Sequence, residues 1–580
     1  VHEETSVAPG LSSRRFALIV AGLLGLYLVL QMVYILRLPL VMDEFQGASA
    51  VHRLAEEVPY RDFQPYKPVV GYYLQFPVLK VASGIWSGLL LIKGQMALLV
   101  AVALAWMAFR LARIYRQGAV LLALALLVSM STFLERSADL RVDMLTGLAG
   151  LVSLVLLVGE PEGRGRWGGA IWGGAIWGGV WAALAFLVSQ KGAFFPLAGG
   201  AALAAQWLAQ RDRPRFRRMV GFGLGGLAVG AAYFAFWFLV VGGNPLADTV
   251  APAQRVLQGV YAIRGRFWLQ TLLRNPLFYL LALVSLVGLG RAALRHRGRG
   301  EGARPLFLAV YGAVLWGLCL WYEQPWPYFF VLLLPTLTVL HSAWLSEGLR
   351  RRDAGGAWFG LKPKVALALA LLLGVAYPLL LRVPRVLALD SDFQRYNVAL
   401  LDTFLEDGGE YLAGVDLLWN RHQAVHRLAW IDAAGNAHLH ALAPSEQEAI
   451  LRELEARPVK VLVWSYRMAN LPPSFQAYFN SRFRQVVANL HLYAPLSLPI
   501  QERVTLKFSG QYLVDVQGEG ECFLDGEPLT RYQRLHLEAG EHANGCTVPL
   551  RLTLLPPELE TRFDPRFRAS RPLFANVYTY

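Results

Sequence analysis

Charge is scarce in this chain. Asp, Glu, Lys and Arg make up 17% of its 580 residues, whereas 55% are hydrophobic, and that balance fits a polytopic membrane protein better than a soluble enzyme. Cysteine is scarcer still, with three residues. Cys319 lies in an apolar run and reads as a small core residue. No cysteine or carboxylate pattern completes a zinc site around His422 and His426 or around His438 and His440. A nucleotide-binding loop is also missing: GFGLGG, Gly221 to Gly226, sits inside an apolar helical segment with no strand before it and reads as helix packing.

Long hydrophobic runs are abundant. Eleven segments read as membrane-spanning helices: 16–36, 95–115, 118–134, 143–159, 169–189, 192–209, 219–242, 276–290, 305–322, 327–345 and 364–382. The first lacks the short apolar core and small-residue cleavage site of a secretory leader and reads as a retained helix. Residues 71–93 are expected to lie in the interface, because VASGIWSGLLLI is only twelve residues long between Lys80 and Lys93. The repeat WGGAIWGGAIWGG, Trp167 to Gly179, reads as helix packing at an interface.

The formal charge of +14 resides largely in arginine clusters between spans: Arg14-Arg15, Arg110/Arg113/Arg116, Arg211–Arg218, Arg291–Arg304 and Arg350–Arg352. This is the positive-inside pattern, and no nucleic-acid partner is implied. Eleven spans put every cluster on the side of Arg14-Arg15. The N-terminus is then cytoplasmic, and the 37–94 loop and the tail after Arg382 are extracytoplasmic. The expected fold is a polytopic α-helical membrane protein in three parts. A 1–382 membrane module is followed by an α/β subdomain over 383–498 and a β-sandwich with a tail over 499–580. Turn signals at Asp525-Gly526 and Asn544-Gly545 mark that last part. In an oxidising compartment a Cys522–Cys546 disulfide is plausible there, stabilising by roughly 3 kcal/mol.

Against this apolar background the charged motifs stand out. LPLVMDEFQG places Asp43 and Glu44 just after the first span. VPYRDFQPYKPVVGYY adds Arg61, Asp62 and Lys67, ERSADLRVDM adds Glu135, Arg136, Asp139, Arg141 and Asp143, and SQKGAFFP adds Lys191. Charges at helix ends often only cap or snorkel, but this mixed set gathers on one water-facing rim. An activated sugar on that side must arrive on a lipid carrier, a polyprenyl phosphate. Its transfer needs a carboxylate base for the acceptor hydroxyl and cations for the departing phosphate. It needs no general acid. No Asp-x-Asp pair lies in the external loops between spans, so a divalent metal is not implied.

The order of these motifs resembles that of GT-C polyprenyl-phosphate-dependent glycosyltransferases, in particular the protein O-mannosyltransferase and aminoarabinose transferase branch, over about residues 10–380. The resemblance implies Asp43 as general base, with Glu44 positioning the acceptor or supporting the base. It implies Lys67 on the lipid phosphate, with Val69 replacing the second proline of the family's Lys-Pro-Pro. Arg141 and Asp143 would build the donor site together with Lys191, and Arg61 would touch phosphate or pair with Asp62. The implied partners are a lipid-linked sugar donor, membrane lipids and an extracytoplasmic protein, lipid or polysaccharide acceptor. Rival readings are a lipid-linked glycan flippase and a sugar-binding membrane protein without catalysis. Glu323, between two late spans, could also approach the site.

Overall fold

The computed structural model describes residues 11–159, 168–247, 264–295, 302–353, 363–406 and 408–574. Among the described residues eight helices are long and apolar enough to cross a membrane: Ser13–Arg37, Ile85–Leu111, Gln190–Gln210, Arg213–Val241, Pro276–Arg295, Ala303–Trp321, Pro327–Arg350 and Leu367–Leu387. Three shorter apolar helices, Gln117–Ser129, Val142–Val158 and Gly173–Val188, fall where three further spans were expected. This is an integral membrane protein. The Pro327–Arg350 helix is its hub, with nearly all of its apolar window buried, whereas Leu367–Leu387 turns its window outward. An all-round apolar helix can do either, so neighbours decide which.

One boundary differs from expectation. The second span was expected to start at 95, with 71–93 in the interface, but its helix starts at Ile85 and carries Lys93 within it. Only Val70–Lys80 forms a separate short helix in that stretch. Lys93 is buried, and its Nζ lies 2.6 Å from Glu44 Oε1. A paired ammonium has no need to reach water, so the helix runs on through it.

The entry to the site follows from local chemistry. Pro39 holds Leu38 in an extended conformation and ends the first helix. The Met42–Arg53 helix then begins with Asp43 and Glu44 in its first turn, where the helix dipole favours negative charge. Glu44 Oε2 accepts the backbone N–H of Val41 at 2.9 Å, capping that end. At Gly47 the helix passes so close to Leu140 that a β-carbon would lie 2.6 Å from its carbonyl oxygen. The acidic turn is thereby held against the segment that carries Arg141.

Beyond Leu387 the chain folds into helices and sheets. A four-stranded sheet has the spatial order Glu410–Leu412, Val459–Val463, Leu490–Tyr493, Phe483–Val487. Its first two strands are parallel, and the Pro444–Ala456 helix lies in the connection between them. A second sheet orders Arg534–Leu537, Gly510–Val516, Leu550–Leu554 and Leu496–Ser497, all antiparallel. Asp525 and Gly526, both at positive φ, turn a short hairpin. Asn544-Gly545 forms no hairpin; the Asn544 amide instead donates to Ser497 Oγ and to the Gln501 carbonyl. Cys522 and Cys546 are disulfide-bonded. One apolar core runs from Phe16 in the first helix to Leu573, so membrane helices and C-terminal part share it.

Candidate active site

Five of the seven residues to which the resemblance gives a role meet at one place. Asp43 Oδ2 accepts a hydrogen bond from Arg141 Nη1. Arg141 Nε donates to Asp143 Oδ2 at 3.1 Å, and Lys191 Nζ lies 2.7 Å from Asp143 Oδ1. The Arg141 guanidinium also stacks 3.3 Å from the centre of the Tyr328 ring. Lys67 joins the group electrostatically, influenced by Arg141, Lys191, Asp143 and Asp43, yet its ammonium has no ion pair or hydrogen bond among the described residues. Three cations facing two carboxylates leave one positive charge in excess.

Two loops deliver the lysines. The turn at Gln190–Ala193 carries Lys191, and Gln190 Nε2 donates to the Tyr66 carbonyl at 3.0 Å, tying that turn to the residue before Lys67. Gly192 is required by packing: a β-carbon there would lie 2.0 Å from the Ala185 carbonyl oxygen. Tyr66 takes a left-handed conformation, φ 58°, uncommon for a tyrosine. Burial pushes the Lys67 ammonium down to about 8, with Arg141 and Lys191 adding to the shift against Asp143 and Asp43. Burial alone would raise the Asp43 carboxyl, but Arg141 and Lys67 hold it below the usual carboxylate value.

Glu44 points the other way. It is buried and occupied by Lys93, by the Val41 N–H and by the Leu140 N–H at 3.2 Å. Asp139 extends this network, 3.7 Å from Lys93 and 3.3 Å from Arg136. Burial, opposed by Arg136 and reinforced by Glu44, raises the Asp139 carboxyl to about 6. Arg61 stands apart, half exposed and bound twice to Asp62 at 2.9 Å. Glu323 is not on the cavity wall described next; its neighbour Gln324 is. Arg255, in a basic stretch of the sequence, lies outside the described residues.

Asp43 also opens onto a cavity of about 1080 Å³. The membrane module contributes Val41–Asp43, Gln324, Trp326 and Tyr328 to its wall. The remainder comes from the C-terminal part, from around Trp430, Trp464, Arg467, Asn489 and Arg571. The Gln394 amide ties the two together: Nε2 donates to the carbonyls of Leu40 and Leu573, both at 3.0 Å, and Oε1 accepts the Leu40 N–H at 2.8 Å. Nothing in the local sequence marks Lys93, Gln394 or this wall as part of a site. Among the described residues no group of three His, Cys, Asp or Glu is placed to hold a metal ion.

No family model and no curated protein matches the sequence significantly. Solved structures do match the fold. ArnT from Cupriavidus metallidurans bound to undecaprenyl phosphate superposes with a TM-score of 0.56 at 13% identity, over 83% of this chain and 98% of that one. The apo Archaeoglobus fulgidus oligosaccharyltransferase superposes with a TM-score of 0.50 at 13% identity, over 86% and 73%. The chain has the GT-C fold. The resemblance read from the order of its charged motifs therefore holds at the level of architecture. In this chain an acidic turn after the first helix lies beside cations drawn from later segments.

Proposed function

We propose that this protein is a membrane glycosyltransferase. It transfers a sugar from a polyprenyl-phosphate donor to an acceptor hydroxyl on the extracytoplasmic side, with inversion at the sugar. The observation that carries this reading is the position of Asp43, whose carboxylate borders the cavity on one side and the Lys67–Arg141–Lys191 cluster on the other. The ArnT structure of the same fold holds undecaprenyl phosphate, and the single excess positive charge suits the single negative charge of a glycosyl phosphodiester.

In the reaction the acceptor oxygen attacks the anomeric carbon and forms the new glycosidic bond. The bond from that carbon to the phosphate oxygen breaks, and its electron pair stays with the phosphate. The acceptor proton passes to Asp43, which is ionised at neutral pH because of its cationic neighbours. The phosphate gains charge as it departs, so Lys67, Arg141 and Lys191 act most strongly in the transition state. Asp143 orients Arg141 and Lys191, and Glu44 holds the acidic turn in place through Lys93. Arg61, engaged with Asp62, is left out of the clamp.

The test is release of free polyprenyl phosphate from a labelled polyprenyl-phosphate hexose by the purified full chain, supplied with a cell-envelope fraction as acceptor. Asp43→Asn is expected to lower that rate by about 10²–10⁴-fold. Full activity in Asp43→Asn would remove Asp43 as the base.

A further inference from the structure

Resting on the reading above, we infer that the cavity beside Asp43 receives a saccharide, so that the acceptor hydroxyl belongs to a sugar ring, either free or carried on a lipid. At about 1080 Å³ it matches or exceeds the roughly 300–1,000 Å³ of most small-molecule sites and has room beyond a single ring. Three half-buried indoles, Trp326, Trp430 and Trp464, line it. Each is held by a neighbour: Trp430 by the Arg467 guanidinium at 4.3 Å, Trp464 by the stacked His491 ring at 5.3 Å, and Trp326 by Phe267 at 5.0 Å. Rings fixed in this way are rigid, flat apolar platforms. A pyranose offers them one face of C–H groups and a rim of hydroxyls.

Hydrogen-bonding groups for such a rim share the cavity wall. Gln324 and Asn470 line the cavity, and their side-chain amides make no hydrogen bond among the described residues. Asn436 Oδ1, on the same wall, is buried without a partner among the described residues. A carboxamide both donates and accepts, which suits a hydroxyl that does the same. An unpartnered buried oxygen is costly until a ligand fills it. An extended peptide is served less well. None of the lining residues belongs to a strand, so no sheet edge is available to pair with a peptide backbone.

The experiment uses the full chain in nanodiscs with a labelled polyprenyl-phosphate hexose. Acceptors are envelope saccharide fractions, lipid-free and lipid-bearing, alongside a protein fraction. Label is expected in protease-resistant saccharide, and the two saccharide arms tell a free glycan from a glycolipid. Trp430→Ala is expected to raise the saccharide KM about tenfold through loss of one stacking platform, with Trp430→Phe restoring most of the affinity. Gln324→Ala, a change in an irregular turn, repeats the test should Trp430→Ala not fold. Label released from protein by protease, or an unchanged KM in both alanine variants, overturns the saccharide assignment while leaving donor cleavage intact. Absence of polyprenyl phosphate release with every acceptor instead overturns the donor reading, and the acceptor assignment with it.

Discussion

At the scale of single residues, Lys67 is the most informative. Its ammonium sits among charges without a direct partner among the described residues, and burial holds it at about 8 instead of the usual value near 10.5. Below that pH it is protonated and contributes to the clamp; as pH rises through about 8 the positive charge is lost. Donor-limited kcat/KM is therefore expected to fall with an alkaline limb centred near pH 8, and Lys67→Arg to move that limb upward, since a guanidinium stays charged. An unmoved limb in Lys67→Arg would assign the titration to another group. Asp43 is held low by Arg141 and Lys67, so no acid limb from it is expected above the ordinary carboxylate range. These residues were legible in the sequence because charges are so rare here that a motif such as DEF or RVDM stands out from its apolar flanks. The resemblance implied the base at Asp43, but the burial of Glu44 against Lys93 was not legible. Adjacent on one turn, they point to different surroundings, and only packing reveals which is buried.

At the scale of elements, the Met42–Arg53 helix is fixed by contacts that span most of the chain. Lys93 from the second apolar helix neutralises Glu44, and Gln394 from the first helix of the C-terminal part clamps Leu40. Removing one partner of a buried ion pair leaves the other charge uncompensated, which typically costs 3–5 kcal/mol. Lys93→Ala is thus expected to destabilise the purified protein by about that amount, seen as a lower unfolding temperature. Restoring neutrality with Lys93→Met together with Glu44→Gln should recover part of the loss. An unchanged unfolding temperature in Lys93→Ala would show that the pair does not hold the turn. The sequence misled at Lys93 for a physical reason. A lysine flanking a short apolar run looks like an interfacial boundary, and its partner lies 49 residues away. Gln394 is 354 residues from Leu40 and leaves no periodic or local trace. The Asp525-Gly526 turn was legible, because its signal is set by adjacent residues.

At the scale of the whole molecule, the candidate site belongs to neither part alone. The membrane module supplies the carboxylate and the cations, while residues after 429 close most of the cavity. The positions of the apolar segments could be read from hydropathy. The far cavity wall could not, because it is assembled from four separated stretches that meet only in the fold. The account depends on the side of the membrane that Asp43 faces, since the proposed donor chemistry is extracytoplasmic. The cysteines permit a direct test. Cys319 is buried and the other two are bonded to each other, so an introduced exposed cysteine is the one readily reactive thiol. Glu56, exposed on the loop just after the acidic helix, and Arg217, exposed at the start of the Arg213–Ala235 helix, are suitable positions. With a membrane-impermeant maleimide on intact cells, Glu56→Cys is predicted to label at once and Arg217→Cys only after permeabilisation. The opposite pattern would put Asp43 in the cytoplasm and contradict the account.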